Sequence, residues 1–253
     1  MKFVRYRIGN GEPRYGWIYQ DRVGPVEGDP FGEYRRLEVE TSLSDVQLLS
    51  PVIPGKIICV GRNYIEHAKE HSAPVPEWPM LFMKPPSSVI GLNDLIHLPP
   101  QSEQVEHEVE LVVVMGKGGR WIQPDEAFRY IFGYTIGNDV TARDLQNKDG
   151  QWTRSKGFDT FCPLGPWIET ELDPADVLLS CRVNGELRQM SSTREMVFTV
   201  QQLVAFVTSI MTLNPGDIIM TGTPAGVGPL NEGDVVECTG EGIGTLTNQI
   251  AAR

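Results

Sequence analysis

The sequence lacks the features that would place the protein in a membrane, in a secretory pathway or on a nucleic acid. No stretch approaches the roughly 20 apolar residues that a membrane-spanning helix needs. Residues 1–7 alternate charged and apolar side chains and contain no apolar segment of the signal-peptide type. Basic residues are in the minority, with 22 Lys and Arg against 33 Asp and Glu, a net charge of −11 and no basic run. We therefore expect no membrane and no nucleic-acid partner.

Cysteine is also scarce, with four residues in a chain of 253. These residues are Cys59, Cys162, Cys181 and Cys238, which are widely spaced and form no C-x-x-C motif. Such a pattern argues against a zinc site. It favours reduced thiols buried in the core of a cytoplasmic protein.

The composition, 40% hydrophobic and 22% charged, is that of an ordinary globular protein. Short strands are expected at residues 3–8, 15–19 and 22–26, where apolar residues are interrupted by Gly, Asn and Asp. A break in secondary structure is expected next, at Pro51, Pro54 and Gly55. We predict a small N-terminal β domain (1–54), which supplies no catalytic group, and a larger domain (55–253).

Residues 105–115 are the stretch around which the chain is organised. A β-branched apolar run reads as a buried strand, and in a strand residues two apart share a face. Glu106, Glu108 and Glu110 therefore lie on one side. One interpretation is a solvated face on an edge strand. The apolar continuation to Met115 favours burial instead, where carboxylates need a paired charge or a cation.

A second acidic motif follows the apolar run at residues 130–136. Asp139 ends this predicted strand, so a third carboxylate joins two from the central strand. Such a set forms a half-open site for a hard divalent cation such as Mg²⁺, which keeps waters that a substrate can displace.

His67 and Glu70 are three residues apart on a short predicted helix that follows Asn63, its expected N-cap. A carboxylate beside an imidazole supports a general base. The alternative is a polar pair on the surface. The helix leads into a proline-rich connector, and we expect residues 63–79, the lid, to be mobile without ligand and to close over the metal.

Three further segments carry possible roles. Lys156 lies in a predicted loop, where it is either solvated or a ligand for a carboxylate or enolate. The glycine-rich residues 221–228 lack the Gly-Lys-Ser/Thr of a P-loop, but their amides and Thr223 can hold an anionic oxygen. Asn184-Gly185 predicts a hairpin, and Thr199 with Gln202 predicts a capping box that opens a helix through residue 211.

Taken in order, five segments resemble the fumarylacetoacetate hydrolase superfamily, and the resemblance extends from about residue 57 to the C-terminus. The segments are 61–64 (GRNY), 107–111 (HEVEL), 139–144 (DVTARD), 183–189 (VNGELRQ) and 221–228 (TGTPAGVG). The similarity is greatest to the acylpyruvase and oxaloacetate decarboxylase branch and to 2-hydroxyhepta-2,4-diene-1,7-dioate isomerases.

The resemblance implies an α+β, mainly β fold, a mixed β-sandwich roll with short helices, and a homodimer. It implies Mg²⁺, or Mn²⁺ or Ca²⁺, and leaves Glu106 outside the metal site, either solvated or behind the ligands. The implied residues are the metal ligands Glu108, Glu110 and Asp139, the catalytic His67, Glu70 and Lys156, and the substrate contacts Arg62, Arg143, Gln146 and Thr223.

The implied substrate is a small 2-oxo acid, whose carboxylate and 2-oxo oxygens chelate a metal that stabilises an enolate. We expect first the hydrolysis of a C–C bond in an acylpyruvate-type substrate. The alternatives are a 5-carboxymethyl-2-hydroxymuconate isomerase or decarboxylase and an oxaloacetate decarboxylase. A 2-oxo acid binding protein would keep the metal ligands without needing His67 and Glu70, and a structural protein would need neither acidic motif.

Overall fold

The computed structural model describes residues 1–70 and 72–252. The protein is mostly β, with short helices, as predicted. Its described strands form sheets of 13, five and three strands. The last residue of the segment predicted as helix after Asn63, His71, lies outside the described residues.

The strands are β1 (Lys2–Arg7), β2 (Arg14–Tyr19), β3 (Arg22–Gly28), β4 (Tyr34–Arg36), β5 (Thr41–Ser42), β6 (Gln47–Leu49), β7 (Ile57–Gly61), β8 (Met80–Lys84), β9 (Val89–Ile90), β10 (Leu95–Leu98), β11 (Val105–His107), β12 (Val109–Met115), β13 (Ile131–Asn138), β14 (Thr141–Ala142), β15 (Cys162–Glu169), β16 (Leu178–Val183), β17 (Glu186–Ser192), β18 (Ile218–Met220), β19 (Gly228–Pro229), β20 (Val235–Gly240) and β21 (Gly244–Ala252). The α-helices are α1 (Ile65–Glu70), α2 (Arg143–Lys148), α3 (Thr153–Lys156) and α4 (Val200–Ile210). Short 3₁₀ turns cover Leu43–Asp45, Pro86–Ser88, Pro124–Arg129, Pro174–Asp176 and Thr193–Glu195.

The largest sheet runs in the order β4-β3-β2-β1-β15-β13-β12-β18-β7-β8. The N-terminal strands have a small core of their own, made of Val4, Tyr6, Ile18 and Val23. Their first strand also pairs with β15, so the sheet continues across the predicted boundary at residue 54. The division into two domains therefore stays a prediction.

Strand β12 lies at the centre of this sheet, between β13 and β18, and both of its faces are buried. Val109, Leu111 and Val113 enter the larger hydrophobic core. Val112 and Val114 face the second core on the other side. The alternative of a solvated edge strand is therefore wrong, because neighbours cover both edges and both faces.

The predicted strand 105–115 is two strands, because the chain changes sheets at Glu108. Strand β11 belongs to the three-stranded sheet with β14 and β19, whereas β12 belongs to the large sheet. At the break, the Glu108 amide donates to Asn138 Oδ1 (2.9 Å), and the Glu108 carbonyl accepts from the Asp139 amide (2.8 Å). These bonds hold the ends of β12 and β13 side by side.

Local signals identified most of the remaining elements. Asn184 and Gly185 have φ angles of 53° and 80° and join β16 to β17, as predicted. The capping box of Thr199 and Gln202 opens α4. The prediction that Asn63 caps a helix is wrong, because its side chain bonds the backbone of Phe198 and the Thr221 carbonyl instead.

The four cysteines are free and buried, as predicted. Cys181 and Cys238 face each other across β16 and β20, with 3.9 Å between their sulfur atoms. Among residues 1–70 and 72–252, no helix is long and apolar enough to cross a membrane.

Alternation along β16 gives a direct test of the packing. Leu179 is 0% exposed and enters the larger core, whereas its neighbour Leu178 is 44% exposed. Leu179→Ala should lower the free energy of unfolding by about 2–5 kcal/mol, because it leaves a cavity. Leu178→Ala, the matched control, should change it by no more than about 0.5 kcal/mol. Denaturant unfolding measures both, and equal losses would contradict the assigned faces.

Candidate metal centre

Three carboxylates meet where β12 begins and β13 ends. Each of Glu108, Glu110 and Asp139 offers an oxygen, and these oxygens lie within 4.8 Å of one another. The side chains of Glu108 and Glu110 share a face because they are two apart. Asp139 joins them because the bonds at the sheet break fix the end of β13 beside Glu108. The structure thus brings the predicted ligands together, and their role as ligands stays a prediction.

Two cations from the helices that follow Asp139 enclose this group. Arg143, on α2, contacts Glu108 Oε1 through Nη2 at 2.5 Å. Lys156, at the end of α3, contacts Glu108 Oε2 at 2.8 Å and Asp139 Oδ2 at 2.5 Å. The interpretation of Lys156 as a solvated loop residue is wrong, because α3 turns its side chain into the carboxylates and leaves it 2% exposed.

A third cation, Lys84, was assigned no role from the sequence. It ends β8, and its Nζ lies 2.5 Å from Asp139 Oδ1 and 3.1 Å from the Val140 carbonyl. Phe82, two residues earlier on the same face of β8, lies under Lys156, 5.0 Å from Nζ to the ring centroid. A lysine that closes an apolar strand just before Pro85 is the sequence signal that could have identified it.

Glu106 is buried rather than solvated. Its Oε2 accepts from Arg143 Nε at 2.7 Å, and its Oε1 accepts from the Gln104 side chain at 2.6 Å. Arg143 also donates to the Gln146 side chain. Arg143 therefore links two carboxylates and an amide. The predicted contacts of Arg143 and Gln146 with substrate stay predictions.

The charges divide the carboxylates into two kinds. Burial alone would raise the pKa of Glu108, but Lys156 and Arg143 outweigh it and hold that pKa well below its ordinary value. Burial, together with the charges of Asp139 and Glu108, raises the pKa of Glu110 well above its ordinary value. A buried carboxylate repelled by two others fits a divalent cation, because the cation supplies the missing positive charge.

The His67–Glu70 pair lies near this group. His67 Nδ1 lies 3.3 Å from Glu70 Oε2, and the Gly226 amide donates to Glu70 Oε1 at 3.1 Å. His67 is 6% exposed, so the alternative of a polar surface pair is wrong for the imidazole. A positive charge on His67 would lower the pKa of Glu108, so the ring is near the carboxylates. Mobility of the lid stays a prediction.

Gln189, a residue to which the sequence assigned no role, ties the glycine-rich loop to β12. The side-chain oxygen of Gln189, Oε1, accepts from the Val109 amide, and its side-chain NH₂ donates to Thr223 Oγ1 and the Pro224 carbonyl. Thr223 Oγ1 donates to the Val109 carbonyl, so this hydroxyl serves the scaffold. The Gly222 amide donates to Glu110 Oε2 at 2.8 Å. A substrate contact from Thr223 stays a prediction.

Arg62 lies against the Trp152 ring. Its guanidinium carbon is 5.8 Å from the centre of the Trp152 ring, and both residues line a cleft of about 990 Å³. Met80, Phe82 and Lys84 line the same cleft, so it abuts the metal centre from the β8 side. The role of Arg62 in substrate binding stays a prediction.

The fold is mostly β, and its buried group of three carboxylates is enclosed by an arginine and two lysines beside a His–Glu pair. This combination makes the protein a candidate metalloenzyme. The model of the fumarylacetoacetate (FAA) hydrolase C-terminal family matches residues 56–251. The chain belongs to this family, whose members are enzymes. A second family model, Rv2993c-like N-terminal, matches residues 1–51.

Relatives with assigned names carry different activities. The solved structure of a 5-carboxymethyl-2-hydroxymuconate delta-isomerase from Mycobacterium smegmatis has a TM-score of 0.94 and 45% identity, with 100% of each chain covered. An oxaloacetate tautomerase of Homo sapiens is 46% identical over 220 residues, 82% of this chain and 70% of that protein. A fumarylacetoacetate hydrolase from Exiguobacterium antarcticum has a TM-score of 0.87 and 40% identity, with 100% of each chain covered.

Glu110 gives the metal centre a testable pH dependence. The folded, metal-free protein holds a proton at Glu110 that the unfolded chain releases above the ordinary pKa of 4.5. Its free energy of unfolding should therefore fall as pH rises from 4.5 toward the raised pKa, while Mn²⁺ affinity rises over the same range because binding displaces that proton. Glu110→Gln should remove both trends and weaken Mn²⁺ binding strongly.

Denaturant unfolding in chelator and calorimetric Mn²⁺ titration, each over a pH series, measure these trends. Glu232→Gln, which changes an exposed carboxylate, is the control and should leave both unaltered. A Glu110→Gln protein that binds Mn²⁺ as tightly as the wild type would rule out Glu110 as a ligand.

Proposed function

We propose that the protein is a divalent-metal-dependent enzyme that acts on a small 2-oxo acid through its enolate. The observation that carries this proposal is the group of three buried carboxylates next to a buried His–Glu pair. Glu108, Glu110 and Asp139 would hold Mg²⁺, or Mn²⁺ or Ca²⁺, since hard carboxylate oxygens suit these ions. When bound, the ion supplies Lewis acidity that stabilises the negative charge of an enolate.

His67 is the proposed proton acceptor and donor. Its imidazole contacts Glu70 through Nδ1. In this proposal Nε2 is the nitrogen that moves the proton, and the Glu70 carboxylate supports the charged ring. Glu70 in turn accepts from the Gly226 amide, so the pair is anchored to the glycine-rich loop. We propose that this anchoring holds the imidazole near the carboxylates, within reach of a substrate carbon.

Lys156 and Arg143 are proposed to meet the substrate's negative charge. Lys156 would stabilise charge that develops on the enolate oxygen, because its ammonium already lies against the carboxylates that would hold the metal. Burial alone would lower the pKa of Lys156, but Asp139 and Glu108 outweigh it and raise that pKa, which keeps the ammonium charged. The proposed contacts for the rest of the substrate are Arg143, Gln146 and Thr223, together with Arg62 from the cleft.

Among reactions that share this enolate, we place proton transfer between keto and enol forms first. It needs only an acid–base group and the metal, and relatives at 45–46% identity are named isomerase and tautomerase. The sequence alone favoured C–C hydrolysis of an acylpyruvate-type substrate. This reaction is the second candidate, favoured by the 40% identical fumarylacetoacetate hydrolase.

Three further proposals concern the location of the protein, its oligomeric state and a function without turnover. We propose a cytoplasmic location, in keeping with the four free, buried cysteines. A homodimer is proposed because the family resemblance implies it. A 2-oxo acid binding protein without turnover is the candidate from another class, and its discriminating feature is a metal site that works without His67.

Replacing His67 tests the proposed chemistry. His67→Ala should slow the keto–enol conversion of oxaloacetate, and any hydrolysis of acetylpyruvate, by roughly 10²–10⁴, the usual share of general acid–base catalysis. Decarboxylation of oxaloacetate should be slowed less, because carbon dioxide leaves without a base. Mn²⁺ affinity should not change, since His67 is not a proposed ligand. Ultraviolet absorbance follows the enol, and product analysis separates the three reactions.

Lys69→Ala provides the matched control on the same helix. Lys69 is an exposed residue that pairs only with the exposed Glu66 among the ion pairs of the described residues. This variant should keep every activity. A His67→Ala protein with full keto–enol conversion would exclude His67 as the acid–base group. Turnover of acetylpyruvate without keto–enol conversion would put hydrolysis first.

A further inference from the structure

Lys84 borders the cleft that contains Arg62, but its side chain is buried and its ammonium is directed into the metal centre. Its ammonium contacts Oδ1 of Asp139, whereas Lys156 contacts Oδ2 of the same carboxylate. The Lys84 side chain is 0% exposed, and its second acceptor is the Val140 carbonyl. Lys84 can therefore influence a substrate only through Asp139 and through its charge.

The single positive charge of Lys84 is large relative to the net charge of the site. Four buried carboxylates, those of Glu106, Glu108, Glu110 and Asp139, are joined by ion pairs or close packing to three cations, Lys84, Arg143 and Lys156. In the metal-bound state, where all of these groups are ionised, the four carboxylates and three cations together have a net charge of −1. A divalent cation brings it to +1, and a monoanionic 2-oxo acid then brings it to zero.

Without Lys84 the same count gives −2, and zero once the cation is bound. The metal would then be attracted more strongly, and the anion would meet a site with no net positive charge. We propose that Lys84 is a positioning residue that sets this balance: it weakens the binding of the metal and strengthens the binding of the anionic substrate. The inference rests on the proposed function.

If Lys84 sets this balance, its replacement should change the Kd for the metal and the Kd for the anion in opposite directions. Lys84→Met should lower the Kd for Mn²⁺ by about tenfold, because a like charge close to the ion is removed. In the Mn²⁺-saturated protein it should raise the Kd for oxalate by about tenfold or more. Oxamate, which chelates with one negative charge instead of two, should lose less. Calorimetry at one fixed pH measures all three, and a purely structural role would weaken every ligand.

Two more variants separate charge from hydrogen bonding. Lys84→Gln keeps a hydrogen-bond donor, one bond shorter than the lysine, but carries no charge. It should therefore behave like Lys84→Met, and it replaces that variant if the methionine protein does not fold. Lys84→Arg keeps the charge and should keep each Kd within about threefold of the wild-type value. Wild-type affinities in Lys84→Gln would overturn the inference, because the hydrogen bond alone would then suffice.

A matched ion pair elsewhere in the chain supplies the control. Lys56 contacts the buried Asp217 at 2.5 Å, and Asp217 otherwise accepts from the amides of Lys56 and Asn214. Lys56→Met removes a lysine from a buried aspartate without touching the carboxylates of the metal centre. It should lower the free energy of unfolding and leave the Mn²⁺ and oxalate affinities unaltered.

The outcomes distinguish this inference from the function on which it rests. If the wild-type protein binds Mn²⁺ and oxalate but both Lys84→Met and Lys84→Gln weaken the two ligands together, the inference is overturned and the proposed function stands. If the wild-type protein binds neither ligand, the proposed function fails and the inference fails with it.

Discussion

Burial of four carboxylates in one small region is the constraint on which the rest of the structure depends. A carboxylate taken out of water is stable only beside cations or hydrogen-bond donors. Three elements supply the cations: β8 brings Lys84, and the helices α2 and α3, which follow Asp139, bring Arg143 and Lys156. Among the hydrogen bonds of residues 1–70 and 72–252, Glu110 accepts one from the Gly222 amide, and the repulsion from Asp139 and Glu108 leaves a local deficit of positive charge that a divalent cation would fill.

Amide side chains hold this arrangement in register. Asn138 fixes the amide of Glu108, Gln189 joins β12 to the glycine-rich loop, and Asn63 ties the start of the lid to that same loop and to Phe198. Each is buried, and each joins segments far apart in the chain. The hydrogen bonds that these side chains make therefore favour one arrangement of the strand ends around the carboxylates.

Much of the candidate site was predictable because its signals are local. The two-residue spacing of Glu108 and Glu110 set their common face, and Asp139 followed the apolar run of β13. The spacing of His67 and Glu70 set their contact on α1. The resemblance to the family added Lys156, although its burial was not predicted. The roles of Lys84 and Gln189 were not predicted, because a lone lysine or glutamine carries no periodic signal and its partner is identified only by contact in space.

The sequence by itself determined the strands, the Asn184-Gly185 hairpin, the capping box of α4 and the family, because each depends on residues that are neighbours in the chain or on motifs in a fixed order. The tertiary structure alone decided three things: the change of sheet at Glu108, the burial of Lys156, and the contact of Lys84 with Asp139, 55 residues away. The physical reason is that ion pairing in a low-dielectric interior depends on distance in space, which the order of residues does not state.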